Sequence, residues 1–292
     1  MPTAATPPHA TLPWLVAALS VTLALAGLAT LRRVRGTTLT APTLWWIAAA
    51  LALAAVEAAI ASGRLPPATL AGSLWRYTAA VGTFCPLVAV LGAKRPQDRG
   101  WQWVVAALWL VLLVPVAQAI VAPGGARLEL FAAWRWLLWG FIAMGLLNYL
   151  PTRFAISALL VAAGQYLLFD GAAGQLAEPA ASRATLWGLG LLVAAWIAGE
   201  MAAAISRPAP TLLPQTRRWL AFRDAWGAFW AIRVLQRVNE SAELGAWPIR
   251  LQWSGVSNAS DAAAVHELTP DLEAALDQSL DNLLRRFERA ER

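Results

Sequence analysis

The sequence contains few of the residues from which most metal and covalent sites are built. Its 292 residues include one cysteine, Cys85, two histidines, His9 and His266, and one lysine, Lys94. A single cysteine excludes an intrachain disulfide and a thiolate metal site. Both histidines lie outside the apolar runs, which excludes a bis-histidine haem in the bilayer and argues against a copper or zinc centre there. The lysine lies in a loop, so no helix can carry a retinal Schiff base.

Common catalytic motifs are also absent from the sequence. It has no H-E-x-x-H, no serine–histidine pair within an apolar run, and no glycine-rich loop that ends in Gly-Lys. We therefore expect no metal and no cofactor, and we assign no catalytic residue. These absences favour a non-enzymatic protein, although an enzyme built on carboxylates and arginines stays open.

Charge is scarce as well. Charged residues make up 14% of the chain, against about 25% in soluble domains, while 59% of residues are hydrophobic and the mean hydropathy is +0.53. This composition excludes a disordered chain, a nucleic-acid-binding arm and an ordinary soluble enzyme. The class that fits is a multi-pass membrane protein. Its many alanines, and arginine in place of lysine, are typical of a GC-rich bacterial genome, so we expect the bacterial inner membrane.

Seven apolar runs have about the length needed to cross the bilayer core, for which roughly 20 residues suffice. They cover 13–31, 43–61, 74–92, 101–121, 130–150, 154–169 and 185–205, and the sixth is the shortest. We predict an all-α fold: a bundle of about seven transmembrane helices over residues 1–206, followed by a small, mostly helical tail over residues 207–292.

The basic residues between the runs alternate between the two sides of the membrane. With the N-terminus outside, the inside loops carry seven basic residues: Arg32, Arg33, Arg35, Lys94, Arg95, Arg99 and Arg153. The outside loops carry one each: Arg64, Arg127 and Arg183. The positive-inside rule therefore predicts an outside N-terminus and a cytoplasmic tail. The uncharged leader before residue 13 indicates an uncleaved first span rather than a signal peptide.

Several polar side chains fall within or at the ends of the apolar runs, and most lie in the outer half. This candidate intramembrane polar cluster consists of Glu57, Arg76, Tyr77, Gln118, Arg135, Gln165 and Asp170. Charge in a bilayer is costly and points to function. One interpretation is an outward-facing cavity whose arginines bind a phosphate or carboxylate. The favoured alternative is that both arginines extend to the outer headgroups beside their aromatic neighbours.

Two prolines, Pro86 and Pro115, fall near the middle of the third and fourth spans. Each removes an amide donor and frees the carbonyl four residues earlier, at Gly82 and Val111. Such breaks indicate either a hinge with a polar floor or, as we favour, ordinary packing kinks.

The tail has a different composition, with 11 arginines balanced by 11 acidic residues. A helix is predicted over about 215–240, with Trp219, Trp226 and Trp230 on one broad face and Arg223 beside it. Such a helix can lie in the inner headgroup plane, with its aromatics in the lipid. The alternative is that it packs against a small domain formed by the tail itself.

The rest of the tail supplies one strand and one helix. Residues 247–254 alternate with strand period, and a lone strand needs a partner such as a short hairpin. A second amphipathic helix is predicted over about 269–290, with a leucine stripe. That stripe either folds onto the aromatic helix or docks a partner protein.

The leading hypothesis from the sequence is a non-enzymatic scaffold or accessory subunit whose tail binds a partner protein. The alternative is a transporter or binding protein for an anionic or amphipathic small molecule, which would use Arg76, Arg135 and Glu57. A weaker third hypothesis is an enzyme on lipid-linked substrates with Glu57 or Asp170 as base. The expected partners are the lipid bilayer, its anionic headgroups and a protein at the tail, but no nucleic acid.

Overall fold

The structure is a computed structural model that describes residues 11–122, 124–125, 127–173, 176–205, 209, 211–261 and 263–288. Its helices confirm the all-α prediction. Among these described residues, six stretches are long and apolar enough to cross a membrane. They are α1 (Thr11–Arg33), α2 (Thr40–Ala61), α3 (Leu70–Gly82) with α4 (Cys85–Leu91), α5 (Asp98–Leu112) with α6 (Val114–Val121), α8 (Ala155–Ala172) and α9 (Ala180–Ile205).

The remaining predicted span forms α7 (Ala132–Tyr149), an 18-residue helix. It falls outside those six because Arg135, Asn148 and three tryptophans reduce its hydropathy. It nevertheless runs the full depth of the bundle. Just before it, the Leu128 amide donates to Ser73 Oγ in the first turn of α3 (3.0 Å), and at its other end Asn148 accepts from the tail amide of Phe229 (2.9 Å).

Successive spans run antiparallel, so their ends lie on two faces of the bundle. The face that carries the ends of α1, α4 and α7 also contacts the tail, and we call it the tail face. The opposite face, with the ends of α2, α6 and α8, is called the far face. All the loops that the sequence predicts to be inside lie on the tail face.

The third and fourth spans are broken next to their prolines, as the sequence predicts. The break at Thr83–Phe84 separates α3 from α4, and the break at Leu113 separates α5 from α6. Pro86 and Pro115 then occupy the first turn of the following helix, where a missing amide donor costs little.

Each break is bridged by a polar side chain from another helix. Gln165 Nε2 donates to the Thr83 carbonyl (2.9 Å), and the Tyr77 hydroxyl donates to the Leu112 carbonyl (3.1 Å). These acceptors lie one residue after the carbonyls expected from the proline positions, because the turn at each break also frees the next carbonyl. The breaks are therefore fixed by hydrogen bonds within the bundle.

Helices α8 and α9 approach each other most closely at two glycines. A Cβ at Gly164 would lie 2.8 Å from the Gly188 carbonyl, and one at Gly188 would lie 2.9 Å from the Gly164 carbonyl. Only glycine permits this backbone contact, which is the usual role of small residues between membrane helices. The pair holds the start of α9 in place against the bundle.

The tail contains α10 (Pro214–Trp226), α11 (Ala228–Leu244), β1 (Ile249–Gln252), β2 (Gly255–Asn258) and α12 (Pro270–Leu284). The single helix expected over 215–240 is in fact two helices, because Gly227 adopts a positive φ of 78° between them. The strand prediction is confirmed, and its partner is the hairpin strand β2, paired antiparallel from Ile249↔Asn258 to Gln252↔Gly255. The helix expected over 269–290 ends at Leu284, and residues 289–290 lie outside the described residues.

The tail forms its own hydrophobic core between these elements. Trp219, Trp226 and Trp230 are buried, and Phe287 makes edge-on ring contacts with the last two. The leucine stripe of α12 is buried in the same core, at Leu276, Leu280 and Leu284. The structure therefore differs from the membrane-surface interpretation of Trp219, Trp226 and Trp230: these rings contact protein, because α12 and the hairpin cover the face that was assigned to lipid.

Candidate functional site

The far face contains a buried ion cluster centred on Arg76. Its guanidinium donates from Nε and Nη2 to the two carboxylate oxygens of Glu57 (2.7 and 3.1 Å) and from Nη1 to Glu178 Oε1 (2.6 Å). Nη2 also donates to Ser182 Oγ (3.0 Å). Arg76 is 3% exposed and Glu57 is 1% exposed. Each of the three guanidinium nitrogens of Arg76 is thus already bonded to a neighbouring helix or loop.

The start of α9 and the loop before it complete this cluster. Glu178 Oε2 accepts from Ser182 Oγ (2.7 Å), and Arg127 Nη2 lies 3.4 Å from Glu178 Oε1. Arg127 also donates to the Leu176 carbonyl. Two arginines and two glutamates therefore balance in charge, as buried ions require. The sequence analysis missed Glu178, Ser182 and Arg127 because they lie in or next to loops that fold back over the far face.

The other predicted polar residues do not join into one site with Arg76. Tyr77 and Gln165 bond to the helix breaks described above, and Gln118 is exposed on the surface of α6. Arg135 and Asp170 are half-buried at the far-face ends of α7 and α8. The structure thus unites Glu57 with Arg76 and distributes the remaining members over the bundle. Arg76 is held inside the bundle by ion pairs, so its side chain does not extend to the outer headgroups as the favoured alternative expected.

A large cavity opens instead in the tail-face half of the bundle. It has a volume of about 560 Å³ and lies between α1, α2, α4, α7, α8 and α10. Its deep end, near the middle of the bundle, is formed by Thr83, Pro86 and Gln165. Its walls are mainly apolar, with Trp46 and Ile142 among the side chains that line them. The break in the third span therefore forms the floor of this cavity.

The mouth of the cavity is charged. Arg153 Nε lies 3.2 Å from Asp224 Oδ2, and Arg223 donates from Nε and Nη2 to Asp224 Oδ1 (2.9 and 2.7 Å). Arg33, on the other side of the mouth, donates to both oxygens of Glu200 (2.6 and 2.7 Å). The Arg33 side chain is 62% exposed, unlike that of Arg76 at 4%. The charged groups of this site are thus concentrated at one end.

The tail covers part of the mouth. Ala221, Asp224 and Ala225 of α10 line the cavity, and the Tyr149 hydroxyl donates to the Ala225 carbonyl (3.3 Å). Nearby, Trp253 Nε1 donates to the Pro151 carbonyl (2.7 Å). The tail is therefore positioned as a cap over this end of the bundle.

The tail aromatics that were assigned to the membrane surface fix this cap. Trp226 Nε1 donates to Thr38 Oγ1 (3.3 Å), and Trp230 Nε1 donates to the Val90 carbonyl at the end of α4 (2.8 Å). Trp219 Nε1 donates within the tail, to the Gln252 carbonyl (3.0 Å). Two of the three indoles therefore join the tail to the loops of the bundle.

A smaller cavity of about 200 Å³ adjoins the first one. The two share the lining residues Thr30, Thr43, Trp46 and Val161, and the smaller one extends between α1 and α9 past Leu192. Apolar space therefore continues sideways from the main cavity, towards the bilayer side of the bundle.

The chemistry available at this site is binding by shape and charge. Across the described residues, no group of three or more histidine, cysteine, aspartate or glutamate side chains is placed to hold a metal ion. A cavity of this size with apolar walls and a few convergent polar groups is typical of small-molecule binding sites. The fold and this site define a multi-pass helical membrane protein with an amphipathic pocket that opens at the tail face.

Comparisons of the chain with protein-family models, with curated proteins and with solved structures find no significant match.

Proposed function

We propose that this protein binds an amphipathic molecule in the tail-face cavity, with an alkyl chain between the helices and an anionic head at the mouth. The observation that carries the proposal is the position of charge in one cavity of about 560 Å³, whose walls are mainly apolar and whose charged residues Arg33 and Arg153 lie at the mouth. Pockets that enclose small ligands have volumes of about 300–1,000 Å³.

The walls suit an alkyl chain. From Ala158 to Gln165 the cavity follows two turns of α8, a depth of about 10 Å at 1.5 Å per residue. An alkyl chain in this space avoids water and gains dispersion contacts with the wall side chains. The smaller adjoining cavity gives a second or longer chain a path towards the bilayer.

The mouth suits a carboxylate or phosphate head. The planar guanidinium group binds both anions through paired hydrogen bonds. Arg33 and Arg153 now bond to Glu200 and Asp224, and a ligand head exchanges with these carboxylates at a partly solvated position. The mouth is on the face with the basic loops, so the positive-inside rule places it at the cytoplasmic leaflet. By composition we assign the membrane to the bacterial inner membrane.

Binding fits the geometry better than transport or scaffolding. Transport has less support, because the far-face half of the bundle holds the buried, paired charges of the Arg76 cluster. A scaffold role through the tail has less support, because the leucine stripe of α12 and the tryptophans of α10 and α11 are buried inside the tail or against the bundle.

Native mass spectrometry of the protein purified in mild detergent tests the proposal. We expect the wild-type protein to carry a bound amphiphile whose mass is identified after its release. The variant Ala162→Phe places a ring in the cavity and should lose at least nine-tenths of the occupancy. The matched control is Ala163→Phe, because Ala163 is the next residue on α8 and is exposed on its lipid-facing side.

The two variants separate a specific site from general lipid adhesion. If Ala162→Phe loses the amphiphile and Ala163→Phe retains it, the cavity is the binding site. Equal occupancy in both variants, or a wild-type protein that carries no amphiphile, would overturn the proposal.

A further inference from the structure

A second group of cations surrounds one tryptophan on the tail face, away from the cavity mouth. Lys94 Nζ lies 5.7 Å from the centre of the Trp230 ring, and the Arg233 guanidinium carbon lies 5.0 Å from it. Trp230 itself is 4% exposed and is held by the Val90 carbonyl. A loop of the bundle and a helix of the tail therefore each place a cation on the same fixed ring.

The segment after α12 brings a further cation to this place. The Arg95 amide donates to the Arg286 carbonyl (2.8 Å), and Arg95 Nη2 donates to the Arg285 carbonyl (2.9 Å). These bonds tie the α4–α5 loop to the end of the tail. They place Arg286 beside Lys94, although 192 positions of the chain separate the two.

The electrostatics of Lys94 reflect this crowding. Burial lowers the pKa of Lys94 below its ordinary value, and the positive charges of Arg286, Arg233 and Arg237 lower it further. Folding has thus collected four cations from three separate parts of the chain. Like charges at close range destabilise a fold unless an anion compensates them.

The described part of the chain supplies little of that compensation. Within the described part of the chain, only Arg237 of these four forms an ion pair, with Glu240 (2.8 Å) on the exposed side of α11. The cations Lys94, Arg233 and Arg286 have no carboxylate within 4.0 Å among those residues.

Part of the group lies at the end of a span, where lipid headgroups are expected. Lys94 lies in the short loop between α4, which ends at Leu91, and α5, which begins at Asp98. Helix α11 begins next to the end of α7 and exposes two apolar side chains there, Phe229 and Ile232. An exposed apolar pair followed directly by Arg233 is the arrangement of a segment that touches the membrane surface.

We propose that Lys94, Arg233, Arg237 and Arg286 form a binding site for the phosphate group of an anionic membrane lipid in the leaflet on the tail face. The bound phosphate bridges the α4–α5 loop to α11 and to the segment after α12. It therefore stabilises the tail in its docked position. A lipid is the source that fits, because the site combines headgroup depth with the exposed apolar pair of α11.

This site differs from the cavity in the residues that form it and in the part of the ligand that it binds. Its cations are not among the residues that line the cavity. The cavity binds an alkyl chain with its head at Arg153, whereas this site binds a headgroup whose chains remain in the bilayer.

The test measures thermal unfolding of the full chain in neutral detergent with added phosphatidylglycerol, phosphatidylcholine or inorganic phosphate. The wild-type protein should be stabilised by phosphatidylglycerol by several degrees, and by neither of the other two. The double variant Lys94→Gln, Arg286→Gln should need at least tenfold more phosphatidylglycerol for half of that shift, since each basic residue at an anionic surface contributes a several-fold gain in binding.

The control is the double variant Arg64→Gln, Arg217→Gln, which removes the same charge from two exposed residues outside the group. It should respond to phosphatidylglycerol like the wild type, and so should Ala162→Phe. If the Lys94 and Arg64 double variants respond equally, the proposed site is wrong. If inorganic phosphate stabilises the wild-type protein as much as phosphatidylglycerol does, the phosphate bound there is not that of a lipid.

Discussion

Arg76 on the far face and Arg153 on the tail face both bond to carboxylates, but the space around them differs. Arg76 is enclosed by Glu57, Glu178 and Ser182, and none of these residues lines either of the two cavities described above. Arg153 lies at the mouth of a cavity of about 560 Å³, and a solvent-accessible arginine, Arg33, lies on the other side of the same mouth. The same residue type therefore serves as a structural tie in one half of the bundle and as a candidate ligand contact in the other.

Substitutions in the Arg76 cluster on the far face should cause the largest loss of stability. Arg76→Met leaves Glu57 buried without its partner, and we expect a loss of about 3–5 kcal/mol of stability. The double variant Arg76→Met, Glu57→Leu removes both ions and should be more stable than Arg76→Met alone. Glu178 retains Arg127 and Ser182 in both variants.

Thermal unfolding in detergent measures this effect. Losses that add up in the double variant would contradict a structural tie and would indicate that the two side chains act separately.

The second largest loss of stability is expected at the contact between tail and bundle formed by Gly227 and Asn148. Gly227 has a φ of 78°, and a Cβ there would lie 2.3 Å from Asn148 Nδ2. Gly227→Ala should therefore cost about 1–3 kcal/mol through strain and displacement of Asn148. The control Gly140→Ala meets nothing within 4 Å and should keep or slightly raise the melting temperature. Equal melting temperatures of the two variants would show that the contact at Gly227 does not matter.

A substitution at the floor of the cavity should cause a smaller loss of stability. Gln165→Leu removes the donor to the Thr83 carbonyl and should cost about 1 kcal/mol. The same change at the exposed Gln118 should leave stability unchanged or raise it, because it removes a polar group from the lipid-facing surface. Differential scanning fluorimetry of the two variants makes the comparison. A larger loss for Gln118→Leu would contradict the assigned positions.

The smallest effect on stability is expected at the mouth. Arg33→Gln breaks an ion pair whose side chains are 62% and 35% exposed, so the loss should stay below about 1 kcal/mol. Occupancy of the cavity by an anionic amphiphile should nevertheless fall several-fold in native mass spectra. A large loss of stability without a change in occupancy would make Arg33 another structural tie.

The helices of the bundle could be predicted from the sequence because every span must be an apolar run long enough to cross the bilayer. The mainly apolar runs 43–61 and 185–205 have about the length of 20 residues that a span needs, and both lie in helices that are long and apolar enough to cross a membrane. Even the short run 154–169 becomes the 18-residue helix α8. The breaks beside Pro86 and Pro115 followed from the missing amide donors.

The partners of the polar side chains were not accessible in the same way. The ion pair of Arg76 with Glu57 joins the second and third spans, as their shared depth allows. Glu178 reaches the same guanidinium from a loop 102 positions later in the chain. No periodicity indicates how such a loop folds back, and the cavity likewise depends on the relative positions of six helices.

The tail shows a different ambiguity. The helix face with Trp219, Trp226 and Trp230 is equally apolar whether it contacts lipid or protein. Amphipathicity alone therefore does not show which of the two it contacts. The structure resolves the ambiguity, because Gly227 interrupts the helix and the leucine stripe of α12 is buried in the same core as the tryptophans.

An experimental density map of the protein in lipid nanodiscs tests the central claim most directly. The account predicts continuous elongated density that begins beside Gln165, follows the walls formed by α7 and α8, and ends in a head next to Arg153 and Arg33. A cavity closed by side chains, or one that contains only separate water peaks, would contradict it.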